Sequence, residues 1–105
     1  MMPFGLRQQD LDEIARILQT FQVVEEAVIF GSRAKGNFKD GSDIDIAVMG
    51  KAIDQGVVAS LSFRLNEESL MPYFFDIVHF EEISEKALRE HISRVGQCIY
   101  SREII

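Results

Sequence analysis

The chain has 105 residues, 47% hydrophobic and 27% charged, with 11 Lys and Arg against 17 Asp and Glu for a net charge of −6. That balance suits one globular domain, residues 1–105, with a core of its own, and its sign argues against a dedicated nucleic-acid binder, since such domains are strongly basic. The lone cysteine, Cys98, excludes an internal disulfide and fits a reducing cytoplasm, while no apolar run reaches membrane-spanning length and the first residues do not read as a signal peptide.

Residues 8–21 carry Leu11, Ile14, Ala15, Leu18 and Phe21 at helical spacing, with Asp10, Asp12 and Glu13 near the start. This predicts an amphipathic helix with acids at its positive end. Residues 26–30 form a short apolar run, predicted as a buried strand. It breaks at Gly31-Ser32, where glycine admits close backbone approach and serine can cap a short helix through Arg33, Ala34 and Lys35. The N–H groups at that start, with the charges of Arg33 and Lys35, make an anion site suited to phosphates.

After a turn at Asp40-Gly41 the chain re-enters a strand over residues 43–48. Strand alternation puts Asp43 and Asp45 on one face and Ile44, Ile46 and Val48 on the other. Two carboxylates side by side repel each other, and a divalent cation between them inverts that logic. Hard oxygen ligands select Mg²⁺ or Mn²⁺.

Asp54 is a predicted N-cap for a helix running to about residue 68. Val57, Val58, Leu61 and Leu65 form its main apolar stripe, and Ala59, Phe63 and Leu70 a second, weaker one, so the helix is either sandwiched between its sheet and something else or packs Phe63 at its edge. Pro72 interrupts, and residues 73–78 read as a bulky third strand with Asp76 in its middle, a charge that needs a reason. Ser84 is placed to cap a last helix, Ile83 and Leu88 to staple it, and Gly96 to stop it, with Leu88, His91, Ile92 and Val95 facing inward. Cys98-Ile99-Tyr100 could form a short strand, and Ile104-Ile105 could meet a partner surface. His79 and His91 lack ligand spacing and are read as structural. The order predicts an α/β domain: a small mixed β-sheet flanked by helices, its first two strands antiparallel and its second and third parallel across the helical crossover.

Two motif readings fail on the letters. Gly31 and Gly36 have P-loop spacing, but Asn37-Phe38 stands where Lys-Ser/Thr is needed, and the Asp43-x-Asp45 pair lacks the glycine and later ligands of a calcium loop. What survives, Phe30-Gly31-Ser32 followed by Asp43-Ile44-Asp45-Ile46, resembles the nucleotidyltransferase superfamily of DNA polymerase β. The longer GSRAKG and GSDIDIAV resemble the minimal nucleotidyltransferases (MNT), many of them antitoxins paired with HEPN-domain toxins.

The resemblance implies a polymerase β palm-like fold and Mg²⁺-dependent transfer of AMP from ATP to a hydroxyl. By that likeness Gly31 and Ser32 hold the β- and γ-phosphates, Arg33 and Lys35 neutralise charge, and Asp43 and Asp45 bind two Mg²⁺ ions, with Mn²⁺ an alternative. Asp76 takes the place of the third carboxylate that completes the metal site and helps deprotonate the acceptor. It further implies a HEPN-type RNase toxin as partner, with a tyrosine as acceptor, no direct nucleic-acid or membrane contact, and a hetero-oligomer or homodimer. Two alternatives stand beside it: a binding module that blocks its partner sterically, and a nucleotidyltransferase acting on a small molecule.

Overall fold

A four-stranded mixed sheet organises the chain. In this computed structural model, which describes residues 3–39 and 41–102, strands β1 (Glu26–Phe30), β2 (Ile44–Met49), β3 (Phe75–His79) and β4 (Gln97–Ser101) lie in the order β3-β2-β1-β4. β1 pairs antiparallel with β2 and β4, and β2 pairs parallel with β3. The helices are α1 (Gln8–Gln19), α2 (Gly31–Lys35), α3 (Gln55–Phe63) and α4 (Lys86–Val95). The expected mixed sheet flanked by helices, with its antiparallel first pair and helical crossover, is the architecture found.

Strand alternation divides the core. Ala27 and Ile29 of β1, Ile44, Ile46 and Val48 of β2, and Phe75 and Ile77 of β3 point to one face, where they pack with Ile14 and Leu18 of α1 and with Leu61 and Leu65. On the other face Val28, Phe30 and Ala47 pack with Ile92 of α4, bordered by Leu88 and Val95. Asp45 and Asp76 share this second face. The apolar stripe of α3 therefore goes to one face of the sheet and the acidic residues to the other.

Past Phe63 the helix widens into a single π turn, Arg64–Glu68, in which the Ser69 N–H donates to the Arg64 carbonyl at 3.0 Å. Asn66 on this turn reaches β3: the Phe75 N–H donates to its Oδ1 at 2.7 Å and its Nδ2 donates to the Phe75 carbonyl at 2.9 Å. Of the second stripe, Ala59, Phe63 and Leu70 are all exposed, so no part of the described chain sandwiches it.

Several boundaries move. β3 starts at Phe75 and β2 at Ile44, so Asp43 immediately precedes its strand. α4 begins at Lys86 with Glu85 as N-cap, and Ser84 does not cap it. The reason is Arg89, which donates to the Phe80 carbonyl at 3.0 Å and the Ile83 carbonyl at 3.2 Å and stacks on the Phe80 ring, holding the segment up to Ile83 in the preceding turn. Nε2 of His79 lies 3.2 Å from the Gly50 carbonyl and 3.1 Å from Oε1 of Glu81, and His91 packs edge-on against Phe30. The Asp40 half of the turn and the Ile104-Ile105 tail lie outside the described residues. Among the described residues no helix is long and apolar enough to cross a membrane.

Candidate active site

The site is built where β1 ends. Phe30 pairs with Asp45 across the antiparallel ladder, and the next residue, Gly31, turns the chain into α2 at φ +75°. A Cβ added to Gly31 would run into Oδ2 of Asp45. Glycine is thus required twice over: its backbone occupies the left-handed region, and an open N–H turn must sit directly against a carboxylate.

The three candidate carboxylates come to one face. Asp45 and Asp76 are register partners across the parallel β2–β3 pair, and Asp43 stands two residues before Asp45. Asp43 and Asp76 are exposed, and Asp45 is half-buried. Burial pushes the Asp45 carboxyl above its ordinary range, with the charges of Asp76 and then Asp43 adding to the shift. Among the described residues no three His, Cys, Asp or Glu side chains close up into a metal-holding group. The donor set is all carboxylate oxygen, the ligand type that a hard divalent cation takes.

Beside them, Ser32 is half-buried and Lys35 is exposed. Arg33 departs from expectation. It is 4% exposed, and its guanidinium is turned away from solvent. Nε and Nη2 donate to the Ser42 carbonyl at 3.0 and 2.8 Å, and Nη1 donates to the Phe4 carbonyl at 2.8 Å. The phosphate-neutralising charge predicted at Arg33 is therefore committed to backbone carbonyls, leaving Lys35 as the open cation of α2.

One supporting residue escaped the sequence reading, and another has a contact that the sequence did not reveal. Asn66 anchors the strand that carries Asp76, and nothing in its local letters signals that. Asp10, 2% exposed, accepts from Arg7 and from the Tyr73 hydroxyl, joining the start of α1 to the approach to β3. Its position three residues after Arg7 is visible in sequence, but its contact with Tyr73, 63 residues away, is not. Along the outer edge of β3 an open groove of ≈ 790 Å³ runs past Asp76, walled by Phe74, Ala59 and Ser62.

The comparisons with known proteins agree with this fold. No curated protein matches the chain in sequence. Among solved structures it is similar to a toxin–antitoxin crystallised with AMP-PNP (TM-score 0.74, 22% identity, 90% of this chain and 75% of that one). It is also similar to the complex of tri-AMPylated Shewanella oneidensis HEPN toxin with MNT antitoxin (TM-score 0.70, 20% identity, 92% and 74%). A third is the MntA-HepT toxin–antitoxin (TM-score 0.69, 20% identity, 91% and 74%). At these identities the likeness establishes a shared fold. The family model described as Polymerase beta, Nucleotidyltransferase matches residues 12–105, and the chain belongs to that family.

Proposed function

We propose that this chain moves AMP from ATP to a hydroxyl, a tyrosine, on a HEPN-type toxin and so acts as its antitoxin. The observation that carries the reading is Gly31 set against Asp45, with Asp43 and Asp76 on the same face: a backbone turn open to phosphates beside three carboxylates. The solved relatives, toxin–antitoxin complexes with an ATP analogue or an AMPylated toxin, support the choice of donor and partner.

In this reading the Gly31-Ser32 turn binds the β- and γ-phosphates and Lys35 neutralises their charge. Asp43, Asp45 and Asp76 would hold divalent cations, Mg²⁺ or Mn²⁺, whose chemistry is to polarise phosphoryl oxygens and lower the pKa of an acceptor hydroxyl. The hydroxyl oxygen forms a bond to the α-phosphorus as the α–β bridging bond breaks, pyrophosphate leaves with the electron pair, and Asp76 takes the hydroxyl proton. The rest is positioning, which a small domain can supply. The cytoplasm is the compartment such a partnership calls for.

Incubation with partner and ATP labelled on the α-phosphate tests it. Label should pass to the partner from the α- and not the γ-position, and Asp43→Asn or Asp45→Asn should lower the rate by at least ~10²-fold. A folded variant transferring at the wild-type rate would rule the reading out. The steric alternative keeps one observation in its favour, that no three of these side chains among the described residues close up into a metal-holding group. It predicts that those same variants still neutralise the partner fully.

A further inference from the structure

We propose that Arg33 is a positioning residue: through the Ser42 carbonyl it sets where the chain delivers Asp43 to the site. The proposal rests on Asp43 being a metal ligand in the reading above. Of the three carboxylates, Asp45 and Asp76 are held by strand ladders, whereas Asp43 precedes β2 and is exposed. On its C-terminal side the Ile44 N–H donates to the Phe74 carbonyl at 2.8 Å, so its remaining freedom is set by the residue before it. Ser42 is gripped at three points: its N–H donates to the Lys39 carbonyl at 3.0 Å, its hydroxyl accepts from the Lys39 N–H at 3.0 Å, and its carbonyl accepts twice from Arg33.

Arg33 is itself caged, by the nearby Phe38 and by segments distant in sequence. Its guanidinium carbon lies 4.9 Å from the centre of the Phe38 ring and 5.3 Å from that of Tyr73. Tyr73 is tethered by its hydroxyl to Asp10, and Asp10 to Arg7. Gly5, at φ +71°, closes the cage, since a Cβ there would lie 2.5 Å from the Phe38 ring. A planar fork can bridge the Phe4 and Ser42 carbonyls while stacked between two rings. The point charge of a lysine cannot.

Arg33→Lys separates geometry from charge, and Phe38→Leu, which removes one wall of the cage, serves as second variant should Arg33→Lys fail to fold. Hydrogen exchange reads the loop, Mn²⁺ followed by electron paramagnetic resonance reads the carboxylates, and AMP-PNP without divalent metal reads the phosphate turn. Expected are faster exchange at the hydrogen-bonded amides of Lys39 and Ser42, Mn²⁺ binding weakened about tenfold or more, as for residues that orient metal ligands, and unchanged metal-free AMP-PNP binding. Weakened AMP-PNP binding with unchanged exchange and Mn²⁺ affinity would make Arg33 a phosphate ligand and overturn the proposal. Should the wild type itself bind no Mn²⁺, the metal reading of Asp43 fails and this proposal with it, whereas exchange unaltered in both variants overturns the positioning role alone.

Discussion

Asp76 sits directly across the parallel ladder from Asp45, each the register partner of the other. Side chains at registered positions on neighbouring strands point the same way, so the edge strand brings a third carboxylate to the pair on its neighbour. If Asp76 serves the acceptor side of the reaction, Asp76→Ala should lower the single-turnover rate more than it weakens MgATP binding. Calorimetry beside single-turnover kinetics measures both, and equal losses would return Asp76 to an ordinary solvated strand position.

The acid dependence of stability should carry two opposed contributions. Asp45 is raised above the ordinary aspartate range by burial first, then by the charges of Asp76 and Asp43. A raised acid binds its proton more tightly folded than unfolded, so stability from this group is lost as pH rises from the unfolded pKa through the folded one. Asp10 is lowered, chiefly by the Arg7 hydrogen bond, so its contribution is present at neutral pH and lost as pH falls through the folded pKa. In metal-free buffer at pH 7, Asp45→Asn should melt higher than wild type and Asp10→Asn lower, with both differences closing on acidification. Melts across that range check the signs.

Gly31→Ala places a side chain at φ +75° and against Asp45. The backbone alone should cost about 1–3 kcal/mol. Adding Asp45→Ala removes the obstructing carboxylate but leaves the backbone strain, so the double variant should be more stable than the sum of the singles. A urea-denaturation double-mutant cycle measures the difference, and strict additivity would mean that the turn relaxes away from Asp45.

Asn66→Ala leaves the N–H and carbonyl of buried Phe75 without their side-chain partners, which should cost about 1–3 kcal/mol. The same substitution at Asn37, which is exposed in the loop after α2, should stay within about 0.5 kcal/mol. Urea midpoints compare the two.

On α3, Leu61 is fully buried and Phe63 is 55% exposed. Leu61→Asp puts an unpaired charge into the core and should unfold the domain, whereas Phe63→Asp should melt within a few degrees of wild type. Equal losses in circular-dichroism melts would make Phe63 a core residue.

Where a pattern is local, the letters revealed it. The alternation of Asp43, Asp45 and the intervening Ile44 predicted both the strand and its acidic face, and Asp54 caps α3 through the Val57 N–H as its position suggested. The parallel crossover followed from having a helix between β2 and β3. The burial of Arg33 was not legible, because a charge beside a phosphate-like turn looks the same in the letters whether it faces solvent or two carbonyls. The difference is made by Phe4 and Tyr73, which are remote in sequence. The start of α4 was misplaced for a similar reason, since Arg89 acts on carbonyls six and nine residues back. β4 stayed ambiguous because its strand is short and mostly exposed, and only pairing with β1 makes it a strand.

Asn66 has a consequence for how copies of this sheet can meet. Its side-chain amide imitates a peptide unit, supplying one donor and one acceptor to the outer side of β3. The first rung on which a foreign strand would register is already filled from within, and the next outward-facing peptide groups, by strand alternation, belong to Ile77. Edge-to-edge growth would have to start in mid-strand, beside the acidic groove, with the π turn as a buttress at one end. A side chain thus does for the first rung of this open edge what a neighbouring strand would do, without adding a residue to the sheet.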